Sequence, residues 1–86
     1  MFYVYILKSL KDDNLYIGYT NDLKRRFLEH NNGLSSSTKS RVPFVLIYYE
    51  SYLSKEDAMK RECGLKLRRN ALGQLKRRIN RSIKIK

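Results

Sequence analysis

The sequence predicts an α/β fold: a small sandwich whose three-stranded antiparallel sheet is flanked by helices, in the order β-β-α-β-α-α. Three observations predict it. Two runs rich in aromatic and β-branched residues, 2–7 and 15–20, flank a stretch of turn composition. A continuous apolar run follows at 44–49. Two stretches of helical spacing each begin at residues able to cap free backbone amides. A chain of 86 residues holds one domain, and at this size about 60–65% of the unfolded surface is buried on folding. We place that domain at residues 1–80 and a basic C-terminal tail at 81–86.

Phe2-Tyr-Val-Tyr-Ile-Leu7 reads as the first strand and Leu15-Tyr-Ile-Gly-Tyr-Thr20 as its partner, with Lys11-Asp12-Asp13-Asn14 turning between them. With Ser9 facing Asn14 across the loop, Tyr5 falls opposite Gly18 and Leu7 opposite Tyr16. Tyr5 and Tyr16 then project from one face as diagonal neighbours, and a slip of one residue would part them. Thr20-Asn21-Asp22 starts a helix in which Leu23, Phe27 and His30 share a side, and Asn31-Asn32-Gly33 ends it. Leu34 to Arg41 reads as a mobile polar loop placed to close over a ligand. The run Phe44 to Tyr49 does not alternate, so it reads as a strand covered on both faces, with Pro43 at its start. Ser54 caps a second helix reaching about Leu67. A last helix is expected from about Asn70 to Ile79, weakened by Gly73, with Ser82 to Lys86 frayed.

The formal charge of +11 is unevenly distributed. All eight acidic residues lie at or before Glu62, where the net charge is only +2; from Cys63 onward nine basic residues and no acid give +9. Such a one-signed segment favours a polyanion, and a solvated tail that aids solubility is the plainer alternative. The cations expected on a nucleic-acid backbone are Arg25, Lys66, Arg68, Arg69, Lys76, Arg77 and Arg78. An anionic membrane is disfavoured, because Leu72, Leu75 and Ile79 read as a stripe docking on the domain. No run approaches the roughly 20 apolar residues of a membrane span, and Lys8 and Lys11 follow the first apolar run instead of preceding it as in a secretory signal. Cys63, the only cysteine, rules out a disulfide within the chain. It reads as a packed small hydrophobe, with a surface thiol as the alternative. Together these features predict a cytoplasmic protein.

Several residues suggest chemistry. Gly18 opposite Tyr5 predicts a shallow opening beside two phenols, large enough for a phosphate. Packing alone is the alternative. Arg26 and His30, four apart, share one helix face. An arginine fork reads phosphate, and a neutral histidine orients water or accepts a proton. Alternatively Arg26 pairs with Asp22, and His30 is simply a satisfied, half-buried histidine. On the second helix Ala58, Met59, Cys63 and Leu65 form an apolar arc that contains Glu62 and Lys66, with Arg61 on the other side. A buried carboxylate needs a partner or a metal. Glu62 is therefore either paired with Lys66 or a hard oxygen ligand for Mg²⁺, an ion that often takes one protein carboxylate and fills its shell with water and phosphate oxygens. One Cys and one His exclude a zinc site.

The ordered set Tyr3-Val4-Tyr5, Tyr16-Ile17-Gly18, Thr20-Asn21-Asp22-Leu23, Arg26, His30-Asn31, Gly33, Ala58 to Glu62 and Lys66 resembles the GIY-YIG nuclease superfamily, in its small single-domain bacterial type. The resemblance runs from Tyr3 to about Asn80. It implies a metal-dependent phosphodiesterase, an endonuclease acting on nucleic acid and most readily DNA, with Mg²⁺ or Mn²⁺ as cofactor and Tyr5, Tyr16, Arg26, His30 and Glu62 as catalytic residues. Glu62 would hold the metal, with Gly18 and Asn80 as support. The first motif begins with Tyr3 in place of glycine, and the tail lacks the family's proline-tryptophan ending, which bears on Asn80. Two other expectations remain: a nucleic-acid-binding module without catalysis, and a subunit active only with a protein partner.

Overall fold

The computed structural model describes residues 1–85; Lys86, the end of the expected tail, lies outside them. Three strands, β1 (Phe2–Ser9), β2 (Leu15–Thr20) and β3 (Phe44–Tyr52), form an antiparallel sheet in the order β2-β1-β3. Helix α1 (Leu23–Asn31) follows β2, and α2 (Lys55–Leu67), α3 (Arg69–Arg78) and a short α4 (Asn80–Ile83) follow β3. The expected sheet and element order are present. Among the described residues no helix is long and apolar enough to cross a membrane.

The hairpin takes the expected register. The Ser9 amide donates to the Asn14 carbonyl at 3.0 Å, Tyr5 pairs with Gly18, and Leu7 pairs with Tyr16. Six consecutive residues of β1, Val4 to Ser9, are buried. This strand, and not β3, is the one covered on both faces, because it lies at the centre of the sheet while β3 forms an edge. The lack of alternation in β3 has a different cause. Its register against β1 shifts between Ile6 and Leu7, which pair with Tyr48 and Leu46 and leave Ile47 as an extra residue. Such a bulge reverses the facing of everything beyond it.

Each face of the sheet has its own core. On one, Tyr5, Leu7 and Phe44 pack with Leu23 and Phe27 of α1; on the other, Val4 and Ile6 pack with Ala58 and Leu65 of α2 and Leu75 of α3. Each fully buried leucine stabilises the fold by roughly 1.5–3 kcal/mol. Both caps form as expected: Asp22 accepts from the Arg25 amide at 3.1 Å, and Ser54 from the Asp57 amide at 3.2 Å. Gly33, at φ +72°, supplies the left-handed residue that ends α1.

Four further expectations are corrected. Cys63 is exposed, and so is Met59. The buried side of α2 runs through Ala58, Arg61, Glu62 and Leu65, since residues three and four apart share a face. Arg61 is therefore turned inward, where it pairs with Glu50 of β3 at 3.0 Å. The segment Leu34–Arg41 is not a free loop. Ser35 and Thr38 are buried, a 3-10 turn covers Lys39–Arg41, and Arg41 pairs with Asp12 at 2.7 Å. Finally, the chain past Ser82 does not fray at once. Buried Lys8 donates to the carbonyls of Ile83 at 2.6 Å and Ile85 at 3.2 Å, satisfying orphan acceptors at the end of α4.

Candidate active site

The site is built on the α1 face of the sheet. Its centre is a buried hydrogen bond: the Tyr5 phenol oxygen lies 2.9 Å from Nε2 of His30. Tyr5 is 1% exposed and His30 0% exposed. The opening expected beside Gly18 is filled by the phenol of Tyr5 itself. A Cβ on Gly18 would come within 2.3 Å of both Cζ and Oη of that ring, so glycine is needed there for close approach. Tyr16 completes the aromatic cluster, with ring centroids 6.4 Å from Tyr5 and 4.9 Å edge-on from His30.

Arg26 lies one turn before His30 and is half-buried. Its guanidinium donates to Glu29 at 3.1 Å and to the Ser35 hydroxyl at 3.4 Å. It does not pair with Asp22, because that carboxylate caps α1 and meets Arg25 at 3.6 Å. Arg25 also reaches Glu29, at 3.2 Å. The histidine's other nitrogen, Nδ1, lies 2.8 Å from the hydroxyl of Thr38, which is itself 0% exposed. Ser35 and Thr38 were not legible as site residues: their spacing from α1 has no period, and only the folded path of the loop brings them in.

The electrostatics follow from burial. The Tyr5 phenol is pushed up to about 12, chiefly by burial and then by Tyr16, with Arg26 opposing and Glu62 adding a further upward push. Desolvation thus outweighs the downward pull of the neighbouring guanidinium. His30 is held below its ordinary value by burial and by Arg26, so it is neutral near pH 7.

Glu62 approaches from α2, on the opposite side of the sheet. Its side chain is 23% exposed, and its carboxylate pairs with Lys66 at 3.0 Å. Lys66 and Lys76 share one hollow with Tyr16 along the free edge of β2. Among the described residues no group of three or more His, Cys, Asp and Glu is placed around a common point. The donor set is one half-buried carboxylate whose partner Lys66 lines that hollow, which fits an ion that draws most of its ligands from water and phosphate. The remaining expected residues scatter. Arg68 lines a separate groove with Lys60 and Cys63. Arg69, Arg77 and Arg78 are exposed, as is Asn80, whose side chain has no hydrogen-bond partner among the described residues.

Comparisons agree with this architecture. The family model described as the GIY-YIG catalytic domain matches residues 1–81. The UPF0213 protein CPE1444 of Clostridium perfringens is 47% identical over 77 residues, covering 87% of this chain and 82% of its own. The UPF0213 protein SH2523 of Staphylococcus haemolyticus is 48% identical over 65 residues, covering 74% and 78%. The solution NMR structure of the UPF0213 protein BH0048 from Bacillus halodurans is 42% identical, with a TM-score of 0.54 over 87% of this chain and 82% of that one. The chain belongs to the GIY-YIG catalytic domain family.

Proposed function

We propose that this chain is a metal-dependent endonuclease that hydrolyses phosphodiesters in nucleic acid, with DNA as the first substrate to test. The observation that carries the proposal is the buried Tyr5–His30 hydrogen bond, flanked by Arg26 and Tyr16. Glu62 would hold Mg²⁺ or Mn²⁺. When bound, that ion supplies Lewis-acid polarisation of a phosphate oxygen and neutralises charge on the leaving 3′ oxygen.

The chain's own residues do the rest. A phenol held at about 12 keeps its proton near pH 7, so Tyr5 accepts a proton from the attacking water only as it passes its own to His30. The new P–O bond forms as the bond to the leaving oxygen breaks. Arg26 places its charge on the scissile phosphate as negative charge builds there. Tyr16 donates to a phosphate oxygen or orients the water. Lys66, Lys76 and the arginines of α3 hold the backbone. A cytoplasmic setting fits the lone cysteine.

The test is an incubation with linear, flapped and branched DNAs and with RNA, in Mg²⁺, Mn²⁺ or chelator. Wild type would be run beside Glu62→Ala and Tyr5→Phe. We expect metal-dependent cleavage by wild type and a loss of at least about 100-fold in each variant. Cleavage by Glu62→Ala at the wild-type rate would overturn the proposal. The second reading is a binder that is non-catalytic or active only with a protein partner. It is favoured by the basic C-terminal segment, where Lys66 alone among the described cations has a carboxylate partner. A plain binder retains full affinity in Glu62→Ala and cleaves nothing in either metal.

A further inference from the structure

Thr38 contributes no group to the chemistry above, yet it is completely buried against the one histidine of the chain. We infer that Thr38 is a positioning residue whose hydroxyl oxygen holds the His30 proton on Nδ1, so that Nε2 faces Tyr5 as an acceptor.

The geometry leaves two arrangements. A neutral imidazole carries one ring proton, so one of its two nitrogens donates and the other accepts. Its contacts are Thr38 Oγ1 at 2.8 Å from Nδ1 and Tyr5 Oη at 2.9 Å from Nε2. Both partners are hydroxyls able to donate or accept. They differ in acidity: a phenol is a far stronger acid than an alkyl hydroxyl, and so the stronger donor. The better-matched arrangement has Tyr5 donating to Nε2 and Nδ1–H donating to Thr38. In the reverse arrangement the phenol proton would be left in a buried site beside Arg26, which has donors and no acceptor. An unpaired phenol is the worse loss of the two, because the stronger donor forfeits the stronger bond.

The groups facing the ring are few. Tyr5 and Tyr16 approach from the sheet, Phe44 packs edge-on from β3, and Arg26 and Glu29 lie on the same helix. None of these other than Tyr5 bonds a ring nitrogen. Thr38 is itself fixed: its amide donates to the Ser35 carbonyl at 3.1 Å, its carbonyl accepts from the Arg41 amide at 2.9 Å, and Arg41 is tied to Asp12. The loop thus sets the tautomer of a residue eight positions earlier. The tautomer rests on the two ring contacts and the relative acidity of the two hydroxyls; its effect on cleavage rests on the phosphodiesterase proposal.

The two are tested separately. Because His30 is the only histidine, the full chain labelled with ¹⁵N-histidine gives one ring by NMR near neutral pH. We expect a protonated, pyrrole-type Nδ1 and a pyridine-type Nε2. Thr38→Val keeps the shape but removes the acceptor. It should shift proton population to Nε2 and lower kcat by about 10- to 100-fold with KM little changed. Thr38→Ser should restore the wild-type spectrum and most of the lost rate. A wild-type ring protonated on Nε2 overturns the inference, as does a Thr38→Val ring with the wild-type tautomer, whatever its thermal stability. If Thr38→Val does not fold, the wild-type spectrum decides. The expected spectrum from a chain that cleaves nothing leaves the positioning role standing and removes the nuclease proposal.

Discussion

His30 is buried neutral, and that has a consequence for stability. Burial first, and Arg26 second, depress its pKa below the ordinary value of 6.5, with Glu29 only partly opposing. In the unfolded chain the ring titrates near 6.5. As pH falls through that value the unfolded state takes up a proton that the folded state refuses. Stability therefore declines below about pH 6.5 and levels off once the folded ring is also charged. Glu50 works in a lower window. Burial acts to raise its pKa, but hydrogen bonds from Arg61, Tyr48 and Tyr52 outweigh this and hold it below the usual carboxylate range. Its contribution is present above the ordinary carboxylate pKa and is lost as pH falls through the folded value. Thermal unfolding followed by circular dichroism should thus show a first decline in midpoint between about pH 7 and 5, absent in His30→Gln, and a second at lower pH. A wild-type midpoint that is flat from pH 7 to 5 would contradict a buried neutral imidazole. At this scale strand register made Tyr5 and Tyr16 legible as one pair and helix spacing made Arg26 and His30 legible as another, because both are periodic; joining the two pairs rested on the family resemblance. Thr38 and Ser35 lie in a segment without period, and no spacing argument reaches them.

Helix α2 shows why elements are harder to read than residues. Its buried side carries two charged residues, Arg61 and Glu62, between Ala58 and Leu65, so an apolar arc drawn from Met59 and Cys63 points the wrong way. What turns Arg61 inward is a carboxylate on another element. Glu50 accepts from Arg61 Nε at 3.0 Å and Nη2 at 3.0 Å, from Tyr48 at 2.5 Å, and from Tyr52. That partner becomes visible only once the bulge in β3 is known, because the bulge turns Tyr48, Glu50 and Tyr52 toward α2. Truncating Arg61 strands a half-buried carboxylate with two phenols. Arg61→Ala should destabilise the fold by about 1–3 kcal/mol, less than for a fully buried pair because Arg61 remains partly solvated. Denaturant unfolding of Arg61→Ala, Glu50→Ala and the double variant forms a cycle. The double variant should cost less than the two single losses added together, and strict additivity would show that the pair is a surface contact of little weight.

At the scale of the whole molecule, charge is sorted by position. In the first part of the chain Arg25, Arg26, Arg41 and Arg61 each have a carboxylate partner. From Cys63 onward, among the described residues, only Lys66 does, and its partner is Glu62. The cations of α3 and α4 therefore leave this part of the chain with a strong positive field, and one of them, Lys76, lines the hollow that holds Tyr16. Such a field binds polyanions by releasing counterions, so affinity must fall steeply with salt. If Arg77 and Arg78 neutralise backbone phosphates, replacing both with alanine removes two contacts. The slope of log affinity against log salt should then flatten by roughly 1.4–1.8, the range for single strands to duplex DNA. Affinity should weaken alike for all sequences, since phosphate contacts carry no base information. Arg25→Ala supplies the contrast, because its guanidinium is already held by Asp22 and Glu29 and its removal should flatten the slope by much less. Fluorescence anisotropy with labelled oligonucleotides from about 50 to 200 mM salt measures all three. An unchanged slope in the Arg77→Ala, Arg78→Ala variant would show that these two arginines form a solvated face, and the backbone contacts would then have to come from other cations, such as Lys66 and Lys76.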